Sequence, residues 1–551
     1  MAAAQSQMRH HSRPRVILPV AIACAAALVL ASHYFGGFAV PDTDFFEFYK
    51  NALSLLQGHL PENLKRLPFF PYVIGLASRL LPDQEPILPA ALLLNVLLTP
   101  VLLWLVFRIG RRLVGPRAAL AVVVLLVVSA TRVYTAQQPI LETLLVTLVL
   151  FTVDLAMTGS RWTYVAAALA GLTRYEAIIL GPAYAFQELR GPASARRGAL
   201  WRGALSVVGP CLWLVLSAQR HAGINPYVQE AMERKGDPTA FLIGLTRVAA
   251  DPLPGAVWLV PLASGLVTLG LLALIVTGGL RLARRHGTVV TVPATFLLFY
   301  TLIHTAFPAY QPRYVLPVLW LAYFAMVAGA EGISERVARG VRLVGGSAGN
   351  RWAARLVMLV ALLMAVHSLV RLLHEPVALL ISWLLVSGAV FLAWPWRRHH
   401  WRTAGSLLFC VMLAFGLRST SLLMAEPWVR DNCAQFRELA KWYRGTAKRG
   451  DRMAVTLPWV VRYYSGLPES AFFTTRNLKA KTLDEAIAEL RKAGVTYVVW
   501  DSDYGRNPTT YHARHFRADL LTQLRDTRPE ALRLIHEIYG SSRKDAEVYA
   551  F

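Results

Sequence analysis

The sequence predicts a mainly α-helical, polytopic membrane protein of about thirteen transmembrane helices, with interfacial helices in its first outer loop and a soluble C-terminal α/β domain. Three observations predict it. Of 551 residues, 55% are hydrophobic and only 16% charged, too little polar surface for a soluble protein of this size. The apolar residues fall in blocks of roughly 17 to 25, the length at which a helix crosses about 30 Å of hydrocarbon. Arginine is concentrated in every second connecting segment, and from about Glu426 the composition turns globular.

The first block, 16–35, has the basic flank of a signal peptide, yet it is long enough to span and no small-x-small cleavage site follows. It is expected to be a retained first helix. Further cores follow at 88–107, 118–134, 140–157, 162–173, 176–188, 203–218, 256–280, 289–306, 314–330, 354–373, 377–394 and 404–424. The blocks 162–173 and 176–188 meet at the polar run Thr173-Arg174-Tyr175-Glu176 and read either as two half-length helices or as one long helix. The arginine pattern favours two.

That pattern carries the formal charge of +24, which by itself would invite a nucleic-acid reading. Its distribution argues for topology instead. Arg9, Arg13 and Arg15 are followed by Arg108, Arg111, Arg112 and Arg117, then by Arg190, Arg196, Arg197 and Arg202. Arg281, Arg284 and Arg285, then Arg336, Arg339 and Arg342, and finally Arg397, Arg398 and Arg402 complete the alternation. Positive residues stay on the cytoplasmic side, so the N terminus is expected in the cytoplasm and the C-terminal domain outside an inner or plasma membrane, with anionic lipid headgroups as partners and no nucleic acid.

Two outer loops are long, 36–87 and 219–255. Phe46 to Leu56 has apolar residues at helical spacing before Gly58 and is expected along the membrane interface. Tyr227 to Arg234 is a candidate surface helix among the prolines of the second loop. The domain boundary is expected at 425/426. Beyond it, Phe436 to Tyr443 and Leu483 to Lys492 read as helices, and Ala454 to Thr456, Tyr497 to Trp500 and Glu547 to Tyr549 as strands. Cys24, Cys211 and Cys410 lie in apolar blocks and Cys433 alone in the soluble region, so neither a disulfide nor a cysteine metal site is expected.

Ionisable residues near the membrane are costly, so those outside the arginine loops are candidates for function. They converge on the outer face: Asp42, Asp44 and Glu47, then Lys65 and Arg66, Glu142, Arg174 and Glu176, and Arg313. Singly, each has a bland reading as a solvated loop charge, a membrane anchor or, for Glu142, a partner of Arg132. Together, a carboxylate beside several cations at headgroup level is what group transfer from a lipid phosphate requires. The carboxylate deprotonates an incoming nucleophile, and the cations neutralise the departing phosphate. Asp42-x-Asp44 is a weak divalent-metal pattern, and since arginine can handle a single phosphate, no cofactor is favoured.

At these residues the sequence resembles the GT-C glycosyltransferases, in particular the bacterial protein mannosyltransferase and lipid A aminoarabinose transferase group. The resemblance lies in Asp44-Phe-Phe-Glu-Phe-Tyr-Lys-Asn-Ala52 continuing to Leu56 and Gly58, then Arg66-Leu67-Pro68-Phe69-Phe70-Pro71, Leu141-Glu142-Thr143, Gly171-Leu-Thr-Arg174 and Gln311-Pro-Arg313-Tyr314. It covers roughly 15–425. It implies Asp44 as catalytic base, Glu142 as a second acidic site residue, and Arg66 and Arg174 as ligands of the lipid phosphate, and it matches Arg313-Tyr314 to a late motif; Asp42 and Lys65, read from the converging charges alone, complete the candidate substrate site. The expected reaction is transfer from a polyprenyl-phosphate sugar to a lipid, glycan or protein acceptor at the outer face, inverting because one base serves a single displacement. Arg66-Leu67-Pro68 replaces the Lys-Pro-Pro turn of the aminoarabinose transferases, and no Trp-Trp-Asp run of oligosaccharyltransferases is present. A transporter or flippase, and a non-catalytic assembly or receptor subunit, remain the rival readings.

Overall fold

The computed structural model describes residues 14–62, 64–82, 85–190, 193–220, 261–305, 312–344, 377–393, 417, 420–425, 433–505, 513–514, 516–539 and 544–551. The second outer loop with Tyr227 to Arg234, the block 354–373 and most of the block 404–424 lie outside these residues. The chain divides into two compact units, one of residues 1–37 and 47–426, the other of 38–46 and 427–551.

The first unit is helical. After α1 (Pro14–His33) come α2 (Asp44–Leu56), α3 (Phe69–Ser78), α4 (Ile87–Leu113), α5 (Pro116–Val128), α6 (Ala130–Gln137), α7 (Glu142–Met157) and α8 (Thr163–Gly171). A 3-10 turn at Tyr175–Ile179 leads into α9 (Leu180–Leu189), so the 162–188 region is two helices rather than one. Then follow α10 (Ala193–Arg220), α11 (Pro261–His286), α12 (Thr291–Thr305), α13 (Leu316–Val344) and α14 (Val377–Ala393). Among the described residues four stretches are long and apolar enough to cross a membrane: Ile87–Leu113, Gly198–Arg220, Leu272–His304 and Arg313–Gly332. The α5–α6 pair, bent by 58°, makes a fifth if taken as one broken span. The protein is thus an integral membrane protein.

Small residues let helices close up where lipid supplies no hydrophobic drive. At the α11–α13 crossing, a Cβ on Gly278 would lie 1.7 Å from the Ala325 carbonyl oxygen, and one on Gly329 would lie 2.5 Å from that of Leu274. Alanine at either position would force the two backbones apart. The bend between α5 and α6 has an electrostatic cause. Arg132, 2% exposed, donates from Nε to the Leu126 carbonyl at 3.1 Å and from Nη2 to that of Val127, capping the end of α5. The guanidinium takes up carbonyls that would otherwise be orphaned in the apolar interior. The sequence reading had Glu142 as its alternative partner; Glu142 instead binds Arg174.

At the far end of α7 from Glu142, the buried Asp154 accepts Arg112 at 2.9 Å and Arg108 at 3.0 Å. Two arginines of the topology signal therefore also clamp α4 onto α7.

The second unit is an α/β domain. Its elements are α15 (Ala434–Thr446), β1 (Met453–Val455), α16 (Pro458–Ser465), β2 (Phe472–Thr474), α17 (Leu483–Lys492), β3 (Tyr497–Asp501), α18 (Ser502–Gly505), α19 (Ala518–Thr527), β4 (Arg533–Tyr539) and β5 (Lys544–Ala550). The sheet has the order β2-β1-β3-β5-β4, parallel across β2-β1-β3 and antiparallel across β3-β5-β4. A helix on each parallel crossover is the arrangement that Gly494 before the apolar run Val495 to Trp500 suggested. Ala454 and Val498 from neighbouring strands pack with Leu490, Leu521 and Leu524 from the helices. α17 is fixed at its start by a capping box, in which Thr482 accepts from the Glu485 amide and Glu485 from the Thr482 amide. The Lys481 and Thr482 amides, both donating to it, hold the Glu485 carboxyl below its ordinary value.

Candidate active site

The chain enters α2 through an Asx turn. Asp42 Oδ1 accepts from the Asp44 amide at 3.0 Å, and the Asp42 carbonyl accepts from the Phe45 amide at 2.9 Å. Asp42 thus satisfies donors that a helix start leaves open, and Asp44 becomes the first residue of the helix, at its positive end. Gly58, at φ +76, lies just beyond its other end, as the spacing predicted.

One turn further along α2, Glu47 takes the Arg66 guanidinium at 2.5 Å, and Arg66 also lies 5.3 Å from the centre of the Phe48 ring. The Arg66 backbone is held by Trp213, whose Nε1 lies 3.1 Å from the carbonyl oxygens of both Leu64 and Arg66. Leu64, Leu67 and Trp213 form a buried cluster against Tyr175, the neighbour of Arg174. The Phe69 amide donates to the Leu172 carbonyl at 3.2 Å. The Arg66 loop is therefore stitched to the turn that carries Arg174. Lys65 sits half-buried within that loop.

Arg174 lies where α8 has ended, with extended backbone at φ −153 and ψ 137, which turns its side chain out of the helical path. Its Nη1 lies 3.2 Å from Glu142 Oε1 and its Nε 3.0 Å from Glu176 Oε1. Glu142, the first residue of α7, and Glu176 are both almost fully buried. Arg313 Nε approaches the same Glu142 oxygen at 3.8 Å. The Tyr314 ring lies under both cations, 5.0 Å from the Arg174 guanidinium carbon and 5.3 Å from that of Arg313.

His304, at the end of α12, completes the group. Its ring stacks on Tyr300 with centroids 4.0 Å apart, and Nδ1 lies 3.0 Å from the Tyr300 carbonyl oxygen. A carbonyl only accepts, so Nδ1 carries the proton and Nε2 faces Glu176 Oε1 at 3.6 Å. Two carboxylates and two guanidiniums so form one connected, largely buried network in which the charges balance, and the imidazole beside Glu176 attracts that carboxylate when Nε2 carries a proton as well. Burying any one charge alone would be expensive, and the network offsets part of that cost.

The structure brings Glu142, Arg174, Arg313 and Tyr314 into one cluster, joins Arg66 to its edge through the backbone, and sets Asp42 and Asp44 at the start of α2. His304 is absent from the sequence reading, and Glu176, noted at the helix junction, was given no role. The available signal for His304 was that of an ionisable side chain inside an apolar block. Among the described residues no three His, Cys, Asp or Glu side chains group as a metal site.

A many-helix membrane unit, an α/β domain and a charged network at broken helix ends are the parts with which known proteins can be compared, and the comparisons show a likeness in fold to membrane glycosyltransferases. Residues 65–212 match the model of the dolichyl-phosphate-mannose-protein mannosyltransferase family, a span that includes Arg66, Glu142 and Arg174. ArnT from Cupriavidus metallidurans bound to undecaprenyl phosphate is similar over 97% of both chains, with a TM-score of 0.53 and 16% identity. Its apo state matches equally, with a TM-score of 0.53. The Archaeoglobus fulgidus oligosaccharyltransferase tethered to an acceptor peptide is similar over 98% of this chain and 74% of its own, with a TM-score of 0.54 and 11% identity. No curated protein matches the chain in sequence.

Proposed function

We propose that this protein is an inverting glycosyltransferase that moves a sugar from a polyprenyl-phosphate donor to a lipid, glycan or protein acceptor at the outer face of the inner (plasma) membrane. The observation that carries the reading is the pair of guanidiniums, Arg174 partly buried and Arg313 buried, gathered over Tyr314 and tied to Glu142. Arginine forks suit the two-pronged binding of a phosphate, and a cluster held in place before the reaction stabilises charge as it develops there. The likeness in fold to a protein bound to undecaprenyl phosphate supports the donor class.

In this reading the acceptor hydroxyl or amine attacks the anomeric carbon and forms the new glycosidic bond. Asp44 takes the acceptor proton, the bond from that carbon to the phosphate oxygen breaks, and the lipid phosphate leaves with its electron pair. Single displacement inverts the configuration. Arg174 and Arg313, with Arg66 and Lys65 from the adjoining loop, hold the phosphate, while Glu142 and Glu176 orient the arginines. Asp42 holds the helix start that presents Asp44. Such a phosphate needs no general acid, and the arginines do the work a metal would otherwise do.

Glu47 and Arg66 refine the reading. Arg66 is ion-paired with Glu47, one turn along α2 from Asp44, so the helix that begins with the base also holds a cation of the phosphate loop. The test is binding of undecaprenyl phosphate to the purified protein, followed by consumption of polyprenyl-phosphate sugars of several sugar types. Saturable binding together with release of the lipid phosphate from at least one of them is expected. Neither binding nor donor consumption, from protein shown to be folded, contradicts the reading.

A further inference from the structure

The segment 38–46 groups with the C-terminal unit, although the rest of α2 belongs to the membrane unit. Its attachment within that unit is specific. Arg437 of α15 donates to the Ala39 carbonyl at 3.1 Å. Phe45 and Phe46, the two residues after Asp44, are 0% and 2% exposed. The Phe46 ring meets Tyr463 edge-to-face at 5.3 Å and Tyr464 at 6.5 Å, and Phe45 meets Tyr463 at 6.4 Å. Tyr463 and Tyr464 themselves stand perpendicular at 5.0 Å.

These tyrosines belong to α16, the crossover between the parallel strands β1 and β2. α16 has Pro458 in its first turn and stops at Gly466, which adopts φ +69. Short connections on a packed sheet make α16 a rigid support. The first turn of a helix, by contrast, is the part most ready to fray, because its amides lack intrahelical partners. Successive helical residues lie 100° apart, so Phe45 and Phe46 leave Asp44 in different directions around the axis. Holding both rings fixes the rotation of that turn as well as its position.

We propose that Tyr463 is a positioning residue: the C-terminal domain carries an aromatic clasp that closes on Phe45 and Phe46 and sets the direction of the Asp44 carboxylate. The catalytic part of this inference rests on Asp44 being the base, while the mechanical part does not. Residues of the second unit then help to position the candidate base, which lies in the same unit.

The experiment compares full-length wild type with Tyr463→Ala, Tyr463→Phe, Phe46→Ala and the double variant Tyr463→Ala/Phe46→Ala. Amide hydrogen exchange is followed over residues 43–49, and kcat and donor binding are measured alongside. Loss of an aromatic contact is expected to speed exchange of the first turn by about two- to tenfold in Tyr463→Ala, and Tyr463→Phe, which keeps the ring, is expected to behave as wild type. Turnover should fall about tenfold in Tyr463→Ala with affinity for undecaprenyl phosphate unchanged, because a base out of line harms the transition state alone. The double variant should be no worse than the poorer single one, since both remove the same contact. Unchanged exchange in Tyr463→Ala overturns the clasp whatever the activity. Faster exchange with wild-type turnover overturns its link to catalysis. Faster exchange in a protein whose wild type transfers no sugar leaves the clasp standing and removes the reading of Asp44 as a base.

Discussion

Arg174 Nη1 lies 3.2 Å from Glu142 Oε1, and this contact joins the start of α7 to the broken junction between α8 and α9. With Glu176 on its Nε, the one guanidinium bridges two buried carboxylates. Its removal takes one cation from each.

Arg174→Ala should therefore cost about 3–5 kcal/mol of stability, as breaking a buried ion pair does, and should also weaken undecaprenyl phosphate binding strongly. Arg174→Lys should recover part of each, because an ammonium supplies charge without the fork. Thermal unfolding in detergent and a lipid-phosphate binding isotherm measure the two effects. Wild-type values of both in Arg174→Ala remove Arg174 from the site.

His304 is expected to act on the proposed phosphate site through Glu176. His304→Phe preserves the stack on Tyr300 and deletes both ring nitrogens, so Glu176 loses one neighbour and Arg174 its fixed setting. Donor affinity should fall by about two- to tenfold, the range of one polar contact in a buried site, with the protein still folded. His304→Gln should lie between the two. Equal donor affinity in wild type and His304→Phe contradicts this role.

From the alternation of arginines we propose that 108–117 and 190–202 lie in the cytoplasm and the chain from 426 outside. In intact cells a probe that cannot cross the membrane should therefore miss a cysteine introduced at Ala193. Cys433 is 3% exposed, so its labelling must be read after unfolding the outer domain. Labelling at Ala193, with Cys433 protected even when unfolded, means that the orientation is inverted.

What the sequence discloses follows from which signals are local. The ends of α17 are legible because helical periodicity and a local capping box, Thr482 with Glu485, mark the same residues. The break before α9 is legible because Thr173-Arg174-Tyr175-Glu176 interrupts an apolar run. The bend at Ser129 is not, for apolar residues continue across it and its cause is a contact of Arg132 with carbonyls behind it. α3 was hidden in the first outer loop because its ten residues are too few to span. β2 has only three residues, and β4 is mostly exposed with no alternation, so neither offers the two-residue period by which strands are read. In the site, Glu142, Arg174 and Arg313 stand out as charges beside apolar blocks. His304 does not, since a lone histidine on an apolar helix usually reads as a core residue, and only the fold brings it to Glu176.

The central claim is that a carboxylate at the start of α2 activates the acceptor for transfer from a lipid-phosphate sugar. Asp44→Asn keeps the shape of the side chain and removes its basicity. Asp42→Asn keeps a side-chain oxygen able to hold the Asx turn with the Asp44 amide. The decisive measurement is the turnover of a polyprenyl-phosphate sugar by these two variants beside wild type, with undecaprenyl phosphate binding measured on the same preparations. The account predicts a loss of about a hundredfold or more in Asp44→Asn at near-normal binding, the usual range for a positioned base, and a much smaller loss in Asp42→Asn. Near-native turnover in Asp44→Asn, with Asp42→Asn inactive at normal lipid binding, would contradict it and move the base to Asp42.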